Sequence, residues 1–420
     1  MILRHLSTPN PPVVVIVGHP VSFTHRCFSN PMITFVHTAD WQLGKPFSRV
    51  ANEERRVGLR SERIAAVQRI GDVVRAKNAA FVVVAGDLFD SNQPTNETVA
   101  ATCDAIKSIG VPVYVIPGNH DHAGPGSVWE QSFFVAESRE RAPNLRVLLD
   151  AKPIEEPGYI LLPCPLNRRQ SSEDPCSWIR DFDFAVLDDR PRIVIAHGST
   201  LSFKQESDEE DSARQANFIE LAKLPMSQLD SIALGDWHGL VEAGDKAWYS
   251  GSHETDRFPK TGQTTGHVAV VQADRGGLPI VKPEQTGRTR WLTHSESFAT
   301  DAGPAALKDA LNQLVGDAER RLSLLKLSLR GSLGLAGHAE LARILESWQS
   351  GLLDLRLDKS VAVAPTSEEI DGLTKAAGDP LIAHVARELQ AQIDRGGEDT
   401  AIAGTAIALL HECVHAGAAP

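Results

Sequence analysis

Short apolar runs alternate with helical patterns from Met32 onward, and this order constrains the fold more than any other feature of the sequence. The runs are four to six residues long, rich in Val and Ile, and soon followed by Gly, Asp or Asn, which is typical of buried strands. The helical pattern after the second run is predicted to begin with Asn96 as its N-cap and to end at Gly110. Because strand, helix and strand in succession form right-handed parallel crossovers, the sequence predicts an α/β core. The predicted strands are 33–37, 80–85, 113–116, 192–196 and 231–234.

A change of pattern near residue 285 indicates a second, smaller domain. Leu325 and Leu327 alternate with polar residues, as do Leu353 and Leu355, and helical patterns lie between and after them. This mixture predicts a small α+β domain followed by C-terminal helices. The first 31 residues carry five prolines and no periodicity, so we expect a poorly structured N-terminal extension. The predicted segments are 1–31, 32–285, 286–365 and 366–420.

The charge and cysteine content exclude several classes of protein. A net charge of −12 is unlike that of a histone-like protein that coats nucleic acid, although an enzyme can hold phosphates through bound cations. The five cysteines are odd in number and form no CxxC pair, which favours neither a disulfide framework nor a zinc knuckle. No apolar run reaches the roughly 18 residues of a membrane span, so we predict a cytoplasmic protein.

Polar side chains that can bind metal follow each of the predicted strands. In open α/β sheets the carboxyl ends of the strands converge on one crevice, so we expect these side chains to meet. They comprise three Asp, one Asn, one Gln and three His, more donors than one divalent ion can take, so two ions are expected, with Asp87 as the bridging carboxylate. Taken singly, Asp40 or Asp87 could instead be a helix N-cap. The set is Asp40, Gln42, Asp87, Asn119, His120, His197, Asp236 and His238.

Five sequence blocks, in this order, resemble the phosphoesterase motifs of the calcineurin-like metallophosphoesterases. The blocks are HTADWQLG, VAGDLFDS, IPGNHDH, IAHGS and ALGDWHG, and they span about residues 33 to 240. The long segment after the first block and the small domain resemble more narrowly the nuclease subunit of the SbcCD DNA-repair complex. The resemblance implies an α/β fold with a β-sandwich core flanked by helices, the small α+β domain as a cap, and C-terminal helices that bind a partner.

The resemblance also implies which residues hold two metal ions. We call the two ligand groups the first and second metal positions. The first position would consist of Asp40, Gln42, Asp87 and His238. The second position would consist of Asp87, Asn119, His197 and Asp236.

Further residues match the family's catalytic and substrate-binding positions. His120 matches the histidine that contacts the scissile phosphate and helps to protonate the leaving oxygen. Asp90 or Asp121 would fix the tautomer of that histidine. Arg257 is a candidate phosphate ligand and His122 a candidate pocket residue, although a structural hairpin and a chain turn are the respective alternatives. Exposed arginines at 55, 56, 60, 63, 168 and 169 could contact a phosphate backbone or simply be solvated.

Two positions depart from the nuclease pattern. The family usually has His where Gln42 and Asp236 stand in this chain. Both substitutions keep an oxygen donor, so the site becomes richer in oxygen and is expected to favour Mn²⁺, with Mg²⁺ or Fe²⁺ as alternatives, over Zn²⁺. A neutral amide is also a weaker ligand than imidazole, which predicts an exchangeable ion at the first position.

The function expected from these observations is metal-dependent hydrolysis of DNA. A nuclease, exo- or endonucleolytic, would act in DNA repair or end processing. The resemblance implies a homodimer and an SMC-like coiled-coil ATPase partner. Two alternatives are a phosphoesterase acting on a small or protein substrate and a non-catalytic DNA-binding scaffold whose metal site has decayed.

Overall fold

The computed structural model describes residues 32–200, 216–259, 262–299, 303–364, 366–374 and 380–416. The expected N-terminal extension at 1–31 lies outside the described residues, so the prediction of poor structure there stays a prediction.

Fifteen strands and nine α-helices lie in the described part of the chain. The strands are β1 Ile33–Thr38, β2 Val82–Ala85, β3 Val113–Ile116, β4 Leu145–Val147, β5 Ile154–Glu156, β6 Tyr159–Cys164, β7 Arg192–His197, β8 Ser231–Gly235, β9 Val241–Gly244, β10 Ala247–Tyr249, β11 His267–Ala273, β12 Ile280–Gln285, β13 Arg290–Phe298, β14 Ser323–Leu333 and β15 Asp354–Val363. The helices are α1 Glu53–Lys77, α2 Asn96–Ile109, α3 Ser132–Arg141, α4 Ser177–Arg180, α5 Ala305–Leu314, α6 Leu335–Gly351, α7 Ser367–Thr374, α8 Pro380–Arg395 and α9 Thr400–Ala416.

Two six-stranded sheets form the core of the part of the chain that runs from β1 to β12. The first has the order β12-β11-β1-β2-β3-β4 and the second the order β5-β6-β7-β8-β10-β9. Phe35 and Phe81 from the first sheet pack with Leu161, Ile193 and Ile195 from the second in one buried cluster. The predicted α/β sandwich flanked by helices is therefore confirmed. The crevice expected from the sequence lies between two sheets and not along one open sheet.

The central strands of both sheets are parallel, as predicted. β1, β2, β3 and β4 pair in parallel, and so do β6, β7, β8 and β10. Antiparallel strands lie at the edges, where β11 and β12 extend the first sheet and β5 and β9 border the second. The parallel pairing brings the carboxyl ends of β1, β2, β3, β7 and β8 to one edge of the sandwich.

Helices α1 and α2 cover the outer face of the first sheet. Their N-caps are Asn52 and Thr95, whose side chains accept hydrogen bonds from backbone N–H groups three residues later. The N-cap of α2 is thus Thr95, and the prediction of Asn96 was off by one residue. Gly110 ends this helix as predicted, with φ of 83°. Since neither cap is an aspartate, the N-cap alternative for Asp40 and Asp87 is wrong.

A three-stranded parallel sheet, β13-β14-β15, forms the small domain with α5 and α6. Leu325, Leu327 and Leu329 of β14 pack on these helices in a separate apolar core. The small domain meets the larger part of the chain, β1 to β12, where Trp291 and Leu324 pack against Phe47, Val50 and Leu59. It therefore rests on the loop after β1 and on the first turns of α1.

The C-terminal helices pack against the small domain. Leu373, Ala386 and Ile407 share a buried cluster with Leu335 of α6, and Val363 of β15 lies at its edge. None of the described helices is long and apolar enough to span a membrane.

Candidate metal centre

Eight polar side chains meet at the carboxyl ends of five strands from both sheets. Asp40 and Gln42 follow β1, Asp87 follows β2, and the other members follow β3, β7 and β8. Backbone bonds tie the loops together, since Asp40 N–H donates to the carbonyl of Gly86 at 3.1 Å and Gln42 N–H donates to that of Asp87 at 2.8 Å. The structure thus brings together the predicted set, which also includes Asn119, His120, His197, Asp236 and His238.

The backbone is strained at four of these residues. Asp40, Gln42, Asp87 and Asp236 have positive φ angles of 53°, 41°, 57° and 99°. Among the described residues only seven non-glycine positions have positive φ, so the candidate ligands account for more than half of them. Such conformations cost free energy and persist where a functional constraint holds them. Their concentration here marks a functional site independently of the motifs.

Two glycines allow these loops to approach closely. A Cβ on Gly118 would lie 2.2 Å from Oδ1 of Asp87, and one on Gly86 would lie 2.2 Å from Nδ1 of His197. Both positions therefore require a residue without a side chain. The ligands are packed against main chain, which fixes where their oxygen and nitrogen atoms point.

The second metal position has the spacing of a ligand set. Nε2 of His197 lies 3.0 Å from Oδ1 of Asn119, 3.6 Å from Oδ1 of Asp87 and 3.9 Å from Oδ1 of Asp236. Atoms that bind one ion at about 2.1 Å lie about 3 to 4 Å apart. Nδ1–H of His197 donates to the carbonyl of Ala85 at 2.8 Å, which directs Nε2 at the other donors.

Asp40 adds a further carboxylate to this group. One atom from each of Asp40, Asp87 and His197 lies within 4.8 Å of the other two, and all three residues are buried. Burial raises the pKa of Asp40 to about 8. Burial alone would lower the pKa of His197, but the carboxylates of Asp87, Asp40 and Asp236 outweigh it and raise that pKa to about 9. A buried cluster this rich in negative charge fits a divalent cation, which can take the place of the imidazolium proton.

The first metal position is arranged differently. Nε2 of Gln42 donates to Oδ2 of Asp87 at 3.3 Å, while Oε1 accepts from Nζ of Lys45 at 2.6 Å. Lys45 also pairs with Asp256 at 2.8 Å. The oxygen of Gln42 is therefore bound to an ammonium group, and its amide hydrogens face the site.

His238 is oriented by the same carboxylate. Nδ1 of His238 donates to Oδ1 of Asp256 at 3.1 Å, and its Nε2 accepts from Nη2 of Arg257 at 3.2 Å. Burial lowers the pKa of His238 to about 4, so the ring is neutral. The carboxyl of Asp256 is buried, yet the hydrogen bond from His238 and the facing charges of Arg257 and Lys45 hold its pKa well below the usual range. Arg257 thus lies beside the site, and its role as a phosphate ligand stays a prediction.

His120 lies at the open side of the site. Its Nδ1 is 2.8 Å from the main-chain carbonyl oxygen of Asp90, and its Nε2 is 3.9 Å from Oδ2 of Asp87. Asp90 therefore orients the imidazole as predicted, but through its backbone and not its carboxylate. Asp121 does not contact this ring: its buried carboxylate accepts from the N–H groups of Gly118 and Phe89.

Two of the predicted substrate-contact residues make structural hydrogen bonds. Nδ1 of His122 accepts from the N–H of Gly124 at 3.3 Å, which stabilises a turn of the chain, and its role in the pocket stays a prediction. Arg63 is buried and donates to the carbonyls of Asp40, Trp41 and Glu254, so it holds the loop of the first motif and cannot contact phosphate.

Sequence reasoning missed Lys45 and Asp256. Lys45 stands only three residues after Gln42, close enough to have been considered with it. Asp256 follows β10 at a distance from every motif, and only the tertiary structure brings it to His238. Arg63 shares the helical period of Leu59, Val67 and Ile70, all buried, which was the available sign that it faces inward.

The comparisons with known proteins agree with this geometry. A family model described as calcineurin-like phosphoesterase matches residues 33–269, more than half of the chain. The chain belongs to the calcineurin-like phosphoesterase family. The buried cluster of Asp40, Asp87 and His197 could hold the metal ion that membership of this family implies.

Individual relatives of this phosphoesterase are distant. Over 100 residues it is 32% identical to a Bacillus subtilis (strain 168) protein named uncharacterized metallophosphoesterase YhaO, a match that covers 22% of this chain and 24% of that protein. Among solved structures it resembles TT1561 of Thermus thermophilus, with a TM-score of 0.37 and 12% identity over 61% of this chain and 99% of the other.

Proposed function

We propose that this phosphoesterase hydrolyses phosphodiester bonds in DNA and acts as a nuclease in DNA repair or end processing. The order of its five motifs and its small domain support this, through their resemblance to the SbcD-type nuclease subunit. The oxygen-rich ligand set favours Mn²⁺, with Mg²⁺ or Fe²⁺ as alternatives.

The protein residues position the reaction. Bound divalent metal supplies positive charge for the phosphate and lowers the pKa of water. Asp87, Asn119, His197 and Asp236 would hold the ion. His120, with Nδ1–H bound to the carbonyl of Asp90, directs Nε2 toward the open side, where it can donate a proton to the leaving oxygen when the ring is charged.

The observation that best supports DNA as the substrate is the set of exposed arginines near the site. Arg257 is 55% exposed and lies next to His238. Arg168 and Arg169 are exposed in a loop joined to the segment after His120 by the bond from Ala123 N–H to the carbonyl of Leu166. Several guanidinium groups near a phosphoester site suit a substrate with several phosphates.

The small domain supports a large substrate as well. Phe258, which follows Arg257, packs on Trp291 of the small domain with ring centroids 5.1 Å apart. A strand of nucleic acid that reaches Arg257 would therefore also meet this domain.

The test is digestion of end-labelled single- and double-stranded DNA with Mn²⁺, alongside bis(p-nitrophenyl) phosphate. We expect both substrates to be cleaved. The Arg168→Met, Arg169→Met double variant is expected to lose more on DNA than on the small ester. Arg75→Met is the matched control, because Arg75 lies at the end of α1 that leads to the start of β2, the opposite edge of the sheet.

Three outcomes would contradict the proposal. Hydrolysis of the ester without DNA cleavage would indicate a small or protein substrate. A wild-type protein that binds metal but cleaves neither substrate would be a non-catalytic scaffold. If the double variant loses the same fraction of activity on both substrates, Arg168 and Arg169 do not take part in DNA binding.

The C-terminal helices support the proposed partner, an SMC-like coiled-coil ATPase in the cytoplasm. Leu381, Ile402 and Leu409 on α8 and α9 are more than half exposed, although other residues of these helices pack on the small domain. Exposed leucine and isoleucine side chains on helices suit a coiled-coil partner. Binding of a purified ATPase of this type should be lost when the three are changed to Ser, and sedimentation of the phosphoesterase alone tests the expected homodimer.

A further inference from the structure

Lys45 extends from the loop after β1 to the first metal position. Its Nζ atom lies 2.6 Å from Oε1 of Gln42, 2.8 Å from Oδ2 of Asp256 and 3.9 Å from Oδ1 of Asp90. The side chain is only 21% exposed. These contacts hold the Lys45 ammonium group at the first metal position, against the residue that stands where the family pattern has a metal ligand.

The chemistry of its partners determines which way Gln42 points. A lysine ammonium can only donate hydrogen bonds, so the atom of Gln42 that faces it must be the amide oxygen. The other end of the amide then presents its N–H groups to Oδ2 of Asp87, a carboxylate that accepts them. In this orientation Gln42 offers no lone pair to an ion, so it does not fit the role of a ligand.

The remaining donor at this position is also occupied. Nε2 of His238 lies 3.9 Å from Oδ1 of Asp40 but accepts a hydrogen bond from Nη2 of Arg257 at 3.2 Å, while Nδ1–H is held by Asp256. The two carboxylates of the first position, Asp40 and Asp87, are the same ones that face His197. All its ligands are thus either shared with the second position or bound to a cationic side chain.

We propose that this phosphoesterase binds a single divalent ion, at the second metal position, and that Lys45 supplies the positive charge at the first position. The ion is held by Asp87, Asn119, His197 and Asp236, with Asp40 beside them. The proposal rests on the proposed function for its substrate and replaces the expectation of two ions.

The charges of the site agree with one ion. An ion at the first position would place a second divalent charge within a few ångströms of the Lys45 ammonium, where like charges repel strongly. Lys45 and Arg257 lie on the same side of the site, where both pair with the carboxylate of Asp256. A phosphate oxygen can therefore be bound on this side by an ammonium group that needs no metal to be present.

Metal counting tests the proposal without any substrate. The full-length protein is freed of metal, titrated with Mn²⁺ in a calorimeter, and examined by electron paramagnetic resonance at saturation. We expect one Mn²⁺ per chain and the six-line spectrum of an isolated ion. Two ions per chain with an exchange-coupled spectrum, or no specific binding, would overturn the proposal.

A pair of variants tests the roles of Lys45 and Gln42. The Gln42→His, Lys45→Ala double variant restores an imidazole and removes the ammonium, and we expect it to bind two Mn²⁺ with a coupled spectrum. Lys77→Met is the matched control, since Lys77 pairs with Glu284 at the far end of α1, and it is expected to bind one ion as the wild type does. If the double variant still binds one ion, Lys45 and Gln42 are not what excludes the second.

The failure of this proposal differs from the failure of the proposed function. A wild-type protein that cleaves DNA with two bound ions keeps the nuclease proposal and overturns the single-ion site. A protein that binds one isolated ion and cleaves only the small ester keeps the single-ion site and overturns the nuclease proposal.

Discussion

Nδ1 of His120 donates to the main-chain carbonyl of Asp90 across 2.8 Å. Because the acceptor is backbone, the orientation of the imidazole does not depend on the Asp90 side chain. We predict that His120→Ala lowers turnover by roughly 10²- to 10⁴-fold with metal content unchanged, because His120 acts on the leaving group. Asp90→Ala keeps the carbonyl and should lose far less. Steady-state kinetics and metal analysis of both variants test this.

The choice of leaving group provides a second check on His120. A nitrophenyl ester releases a group that needs no proton, so the His120→Ala variant should lose less on it than on DNA. Equal losses on the two substrates would count against proton donation by His120.

Gly118→Ala is predicted to lower the affinity for Mn²⁺ by at least tenfold. The new Cβ would lie 2.2 Å from Oδ1 of Asp87, so the carboxylate of this ligand would have to move. Gly58→Ala is the control, because nothing lies within 4 Å of a Cβ at that exposed position of α1. The control should bind Mn²⁺ as the wild type does and gain about 0.5–1 kcal/mol of stability. Calorimetric titration and thermal unfolding measure the two effects, and unchanged Mn²⁺ affinity in Gly118→Ala would contradict the close packing.

Arg63→Met is predicted to lower the free energy of unfolding by about 3 kcal/mol or more. The substitution leaves the buried carbonyls of Asp40 and Trp41 without a donor, and each such group costs about 1–3 kcal/mol, while the carbonyl of Glu254 keeps the hydroxyl of Ser252 as a donor. Arg60→Met, which breaks the surface ion pair with Glu53, should cost no more than about 1 kcal/mol. Urea unfolding compares the two, and similar losses would refute the clamping role of Arg63.

His37→Gln is predicted to reduce the loss of stability in acid. Burial lowers the pKa of His37 to about 3, although the hydrogen bond between Nε2 and the carbonyl of Leu234 partly opposes this. The folded pKa is below the unfolded value of 6.5, so the unfolded chain binds more protons, and stability falls as the pH drops below 6.5 toward 3. At pH 5 this group alone costs about 2 kcal/mol.

Urea unfolding at pH 7.5 and pH 5 measures the effect of His37. The difference between the two pH values should shrink in His37→Gln, whose amide can still donate to Leu234. His384→Gln changes an exposed histidine of α8 and should leave the difference as in the wild type. The same difference in His37→Gln and wild type would mean that His37 does not contribute.

The sequence allowed the meeting of these polar side chains to be predicted because the strands are local features. Asp87 and His197 each stand at the end of a Val- and Ile-rich run, and parallel pairing brings such ends together whatever the loops do. The sequence could not show that β1 and β2 belong to one sheet and β7 and β8 to another. The periodicity of a strand carries no information on which sheet the strand joins.

The orientation of Gln42 was equally beyond the sequence. Its residue type predicts an oxygen ligand, but whether the oxygen or the amide hydrogens face the ion depends on Lys45 and on Asp256, which is distant in sequence. The residues that position a site are therefore harder to predict than those that compose it, because their partners are set by tertiary packing.

The ligands of the second metal position come from both halves of the sandwich: Asp87 and Asn119 follow strands of one sheet, and His197 and Asp236 follow strands of the other. An ion bound there would act as a further cross-link between two layers that are joined by apolar packing and by hydrogen bonds such as those of His37 and His197. Its binding energy is therefore coupled to the cohesion of the whole domain, and a concentration of 100 times the Kd adds about 2.7 kcal/mol to the free energy of unfolding. Chelation should loosen the two layers from each other, and a melting curve recorded against metal concentration would report occupancy before any substrate is known.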